Sequence, residues 1–263
     1  MSRDLKNRTI VITGASSGIG AATALACARA GMDLLLNGRD AARLGAVADQ
    51  IRQLGRRVQV VAADVTQPGL SGRLLDIADE TLDGFYAVFA NAGYGFKRPS
   101  HETSAQELRR IFEVNFFSAC DLVTEAARRL LARGERGHLL MCSSAVAKFT
   151  LPSFAAYSAT KAAQNHFCRA MRMELRPHGI EVASVHPVTT ATGFFVRAAA
   201  ESGSAAAARG PGPFVQRPER VARAVVRCLR RPRPEVWTSF PARLAAGLVT
   251  VFPSLLDLLA RRL

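Results

Sequence analysis

Short apolar runs recur along this chain, each followed by a stretch of helical periodicity, and that alternation limits the fold more than any other feature. "TIVITG" precedes 18–30, "DLLLNGR" precedes 40–54, "VQVVAADV" precedes 69–82 and "AVFANAG" precedes 104–132. The series continues with "HLLMCSS" before 154–176, then "IEVASVHP", a helix near 218–230, and "EVWTSF". Right-handed crossovers return each strand parallel to the last, so the pattern predicts an α/β, doubly wound parallel sheet with helices on both faces. Strands covered on both faces read as uniformly apolar, and these do. The expectation is a Rossmann-like sheet of about seven strands in one domain spanning 1–263.

The segment after the first strand points to a nucleotide. "TGASSGIG", Thr13 to Gly20, follows that strand directly and opens a helix. Gly14, Gly18 and Gly20 allow a tight turn and close backbone approach, and the helix N-terminus stabilises a pyrophosphate. Ser16, Ser17 and Ile19 complete the loop. The second strand ends in Asn37-Gly38-Arg39, with no carboxylate for a ribose 2′-hydroxyl. Arg39 suits a 2′-phosphate instead, through charge-assisted hydrogen bonds, so NADP(H) is expected in preference to NAD(H). Later, "AAYSATKAA" at 155–163 sets Tyr157 and Lys161 one helical turn apart among tiny side chains. A free tyrosine, with a pKa near ~10, is a poor base at neutral pH, and an ammonium on the same helix face favours its phenolate.

With "NAG" at Asn91-Ala92-Gly93 between these motifs, the chain resembles the short-chain dehydrogenase/reductase family, in detail over roughly residues 8–192. The resemblance implies reversible hydride transfer between a nicotinamide cofactor and a carbonyl or secondary alcohol. It implies that Tyr157 moves the proton at the substrate oxygen, that Lys161 holds the nicotinamide ribose, and that Ser144 hydrogen-bonds the substrate carbonyl. Asn115 matches the helix asparagine that supports a water chain to the lysine in relatives. Asp64 and Val65 match the pair that receives the adenine, Asn91, Ala92 and Gly93 the fourth-strand cofactor motif, and Thr192 the residue that meets the carboxamide. Alternation along the strand turns Ser143 away from Ser144. One departure stands in "PVTTAT", residues 187–192, where Val188 replaces a common glycine and restricts the backbone beside the nicotinamide. Relatives assemble through the helices corresponding to those of Asn115 and Tyr157, so a homodimer or homotetramer is expected.

Residues 193–217 contain the low-complexity run "RAAAESGSAAAARGPGPFVQR" and read as a substrate lid, with a solvated linker as the alternative. Tyr94, Phe96, Phe149, Phe194, Phe195 and Phe214 are candidate walls for a lipophilic small-molecule substrate, with core packing as the alternative. The apolar tail at 241–263 is expected to cover the pocket or a partner subunit, and the competing reading is peripheral membrane contact. The formal charge is +14, but 31 of the 35 basic residues are scattered arginines without a recognition motif, so no nucleic-acid partner is expected. Cys27, Cys120, Cys142, Cys168 and Cys228 show neither metal-ligand nor disulfide spacing, which fits a cytoplasmic protein without a metal. A catalytically silent dinucleotide-binding regulator or a membrane-surface scaffold is the alternative function, and the intact Ser144, Tyr157 and Lys161 weigh against it.

Overall fold

The computed structural model of the chain describes residues 2–192 and 215–254. Among the described residues, seven strands form one parallel sheet in the order β3-β2-β1-β4-β5-β6-β7. They are β1 (Thr9–Thr13), β2 (Asp33–Gly38), β3 (Val58–Ala62), β4 (Ala87–Ala90), β5 (Gly137–Cys142), β6 (Ile180–His186) and β7 (Glu235–Trp237). The helices between them are α1 (Gly18–Arg29), α2 (Ala41–Gln53), α3 (Leu70–Thr81), α4 (Ala105–Phe112), α5 (Ser118–Arg133), α6 (Ala155–Leu175), α7 (Pro218–Arg230) and α8 (Phe240–Val251). The strand order reverses between β1 and β4, which pair through Val11 and Val88. Ligands of open α/β sheets bind at that reversal, beyond the carboxyl ends of the strands.

The period of two along each strand divides the core. Ile10, Ile12, Leu34 and Leu36 face α1, α2 and α7, where they meet Ala24, Leu44, Ile51 and Val225. Val11 and Leu35 face the other way, into a layer built by Leu74 of α3, Leu122 of α5 and Met171 of α6. Edge strand β3 departs from uniform burial: Val58 is buried, Gln59 to Val61 are half-buried and Ala62 is exposed. Local signals start the helices as their residues dictate. Asp40 accepts a hydrogen bond from the Arg43 amide at α2, and Ser104 and Glu107 form a reciprocal capping box at α4.

The helix expected over 104–132 is interrupted. Between α4 and α5, Glu113–Phe117 forms a π turn with Asn115 inside it, fully buried. The tail begins with α8, which buries Ala246 and exposes Phe240, Leu244, Leu248 and Val251. No helix among the described residues is long and apolar enough to cross a membrane. The expected lid lies, apart from residues 215–217, outside the described residues, as do Phe194, Phe195, Phe214 and the last nine residues of the tail.

Candidate active site

The glycine loop between β1 and α1 is held in shape from β4. The Asn91 side-chain amide donates to the carbonyls of Thr13 (3.0 Å) and Gly14 (3.3 Å), while the amides of Asn91 and Ala92 both donate to the Thr13 hydroxyl (3.1 Å each). Asn91 therefore shapes the loop, with its amide group spent on the chain itself. Gly14 and Gly18 take positive φ of 66° and 58°, a region that side chains disfavour. Gly18 also backs onto Thr192, so the loop and the segment after β6 border one cradle. The first turn of α1 carries no acidic residue, and Ser16, Ser17 and Ile19 are half-buried around it. A glycine cradle at an uncontested helix N-terminus fits a dinucleotide pyrophosphate.

At the end of β2, Asn37 turns inward and donates to the carbonyls of Val61 and Ala63, whereas Arg39 is exposed. Gly38 packs against Ser16. The Asp64 carboxylate accepts from the Thr66 amide (3.0 Å), the Thr66 hydroxyl (2.8 Å) and Arg110 (3.2 Å). Burial works to raise its pKa, but those Thr66 bonds, Arg110 and the charge of Arg39 outweigh it and hold the carboxylate low. Val65 is half-buried beside it. Positive side chains from α4 and from the end of β2 thus meet where β3 ends, and Arg110 had no signal in sequence because it reads as a surface residue of an amphipathic helix.

Tyr157, Lys161, Ser144 and Asn115 come together around the start of α6. Lys161 is buried, and its ammonium donates to the Cys142 carbonyl (2.8 Å) and to Gln164 Oε1 (3.1 Å). Asn115 is pinned on the loop after β4, where its side chain exchanges two 2.9 Å hydrogen bonds with the Tyr94 backbone. It also donates to the Thr160 hydroxyl (3.1 Å), which in turn donates to the Tyr157 carbonyl (2.7 Å). Ser143 is turned away, its hydroxyl donating to the Lys161 carbonyl (2.8 Å), while Ser144 hydrogen-bonds Tyr157. Behind Ser144, His186 Nδ1 donates to the Ser144 carbonyl (2.9 Å), and the His186 ring stacks on Trp237 with centroids 4.6 Å apart. Burial lowers the His186 pKa to about 4, so the ring is neutral and Nδ1 carries its proton. Thr160, Gln164 and His186 are supports that the sequence did not single out, because a lone polar residue on a helix or strand carries no mark of its partner.

Burial and hydrogen bonding act in opposite senses on the Tyr157 hydroxyl. Burial pushes the Tyr157 hydroxyl above the ordinary tyrosine value, the neighbouring Cys142 adds to the rise, and only the Ser144 hydrogen bond opposes it. The Lys161 ammonium lies 5.6 Å from the centre of the Tyr157 ring and is itself lowered to about 8 by burial. Tyr157 is a neutral phenol at neutral pH, as a free tyrosine is. Among the candidate substrate walls, Phe96 is buried in a small cluster with Ile111 and Ala156, against which Tyr94 and Tyr157 pack, and Phe149 is half-buried. Val188 lies outside the set of described non-glycine residues with positive φ, which are Asn7, Asp83 and Ser153, so its β-branched side chain meets no left-handed backbone. Its carbonyl accepts from the Thr190 hydroxyl (2.7 Å) and from Gln216 (3.3 Å).

The chain matches a family model described as short chain dehydrogenase over residues 8–202. An uncharacterized oxidoreductase of Myxococcus xanthus is 31% identical to it over 263 residues, covering 99% of each chain. Among solved structures, a short-chain dehydrogenase from Sphingobium yanoikuyae in complex with NADPH shares 28% identity, with a TM-score of 0.80 over 95% of each chain. A short chain dehydrogenase/reductase from Burkholderia phymatum in complex with NAD reaches a TM-score of 0.87 over 96% of each chain, and at 24% identity that likeness concerns the fold alone.

Proposed function

The chain belongs to the short-chain dehydrogenase family, and on that premise we propose that it is an NADP(H)-preferring oxidoreductase acting between a lipophilic carbonyl compound and the matching secondary alcohol. The observation that carries the reading is the convergence of Ser144, Tyr157, Lys161 and Asn115 on one buried network beside the glycine cradle. Gly14, Ser16, Ser17, Gly18, Ile19 and Gly20 would hold the pyrophosphate, Arg39 the 2′-phosphate, Asp64 and Val65 the adenine, Ala92 and Gly93 the ribose side, and Thr192 the carboxamide. The nicotinamide, when bound, supplies or accepts the hydride.

The chain's own residues handle the proton. Tyr157 gives its proton to the carbonyl oxygen as charge develops there, and takes a proton from the alcohol in the opposite direction. Ser144 steadies the same oxygen by a hydrogen bond. Lys161, with a pKa of about 8 and so mostly charged at neutral pH, stabilises the tyrosinate left behind. The aromatic residues Tyr94 and Phe149 support a lipophilic substrate.

Exposed Leu108 and Phe117, on and beside α4, support assembly into a homodimer or homotetramer through the faces of α4 to α6. The lid at 193–217 and a protein-covering role for the tail stay with this proposal, as does a cytoplasmic location, which five unpaired cysteines support. A screen of NADPH oxidation across ketone and aldehyde classes tests it: activity with extended apolar carbonyl compounds is expected, and activity confined to sugars would refute the lipophilic assignment.

A further inference from the structure

Gln164 is fully buried on α6, one turn beyond Lys161, and it bridges two parts of the candidate site. Its Nε2 donates to the Asn115 carbonyl in the π turn (2.5 Å), and its Oε1 accepts from the Lys161 ammonium (3.1 Å). Chemistry fixes which way the amide points. A backbone carbonyl only accepts, so Nε2 must face Asn115, and Oε1 is then presented to a group that only donates. The π turn matters here because it carries the Asn115 carbonyl that anchors the amide.

We propose that Gln164 is a positioning residue that holds the Lys161 ammonium in place and keeps it charged by offering it a buried, pre-oriented acceptor. An ammonium has three donors, and the Cys142 carbonyl and Gln164 Oε1 take two of them, which aims the remaining one away from both. Burial lowers the Lys161 pKa to about 8, with Cys142 opposing the fall, and a hydrogen bond to the charged form favours that form. The titratable groups that face it are Cys142 from β5 and Tyr157 from its own helix. The other neighbours, Asn115 from the π turn and Gly93 from the loop after β4, bring no ionisable side chain. With no carboxylate among these partners, the cation is received by two neutral oxygens, the Cys142 carbonyl and the Gln164 amide. The consequence for function rests on Lys161 belonging to the proposed site: its charge sets how easily Tyr157 parts with its proton.

The test needs neither substrate nor cofactor, so it fails independently of the proposed reaction. The chain has four lysines, Lys6, Lys97, Lys148 and Lys161, so 13Cε-lysine NMR resolves them, and Lys161→Met assigns the signal. In Gln164→Met, which keeps length and apolar bulk, the Lys161 midpoint is expected to fall by about one unit or more. An unchanged midpoint in the folded variant overturns the proposal. In the unmodified protein, the Gln164 side-chain amide signal is expected to titrate with the Lys161 midpoint, and a pH-independent amide signal overturns it also. This second measurement decides the matter if Gln164→Met does not fold.

Discussion

Gly18 and Thr192 touch across the mouth of the cradle: a methyl placed on the glycine would stand 2.9 Å from the threonine Cγ2. The glycine also sits at φ 58°. Gly18→Ala therefore meets two costs, one of backbone strain of roughly 1–2 kcal/mol and one of crowding against Thr192. The expected result is a Tm lower by about 2–8 °C and NADPH binding weakened at least tenfold. Thermal unfolding with and without NADPH checks both, and an unchanged affinity would mean that Thr192 moves aside freely.

The exposed Arg39 stands at the carboxyl end of β2 with no carboxylate at Gly38 beside it. A charge-assisted hydrogen bond to a 2′-phosphate contributes roughly 1.5–3 kcal/mol, which corresponds to about ten- to a hundredfold in affinity. Arg39→Ala should weaken NADPH binding by about tenfold or more and leave NADH nearly unchanged. Equal dissociation constants for the two cofactors in the unmodified protein, titrated at physiological salt, would show that Arg39 points into solvent.

His138 in β5 is fully buried, and burial lowers its pKa to about 3, with Arg3 and Arg172 pushing the same way. His186 lies at about 4. The unfolded chain takes up these protons near pH ~6.5 and the folded chain does not until the lower values, so the unfolded state binds more protons in between. Stability is then full above about pH 6.5 and is lost as the pH falls toward 4. His138→Gln should flatten that decline. Urea midpoints measured at several pH values across this window decide it, and identical pH dependence in both proteins would show that His138 is not held neutral by the fold.

The alternation of strand and helix was legible because burial imposes it on every residue of Ile10 to Ile12 or Leu34 to Leu36, where neighbours face opposite layers. The turn of Ser143 away from Ser144 followed from the same period. The π turn at Glu113–Phe117 was not legible, since "EVNFF" fits an ordinary helix and the extra residue shows only once Asn115 is packed on Tyr94. Gln164 escaped for a related reason: its partners are a backbone carbonyl and a lysine, and a carbonyl leaves no trace in sequence. Spacing reveals the lysine beside Tyr157 but not the burial that raises the pKa of the hydroxyl.

Tyr157→Phe keeps the ring that packs beside Phe96 and Ile111 and deletes only the proton-transfer group. Turnover of NADPH with a carbonyl substrate found in the screen, measured side by side with the NADPH dissociation constant in both proteins, decides whether Tyr157 moves the proton. Unchanged folding, a dissociation constant within about twofold, and turnover reduced by at least about 10²- to 10⁴-fold are expected, the contribution typical of a positioned general acid. Turnover within tenfold of the unmodified protein would show that another group moves the proton.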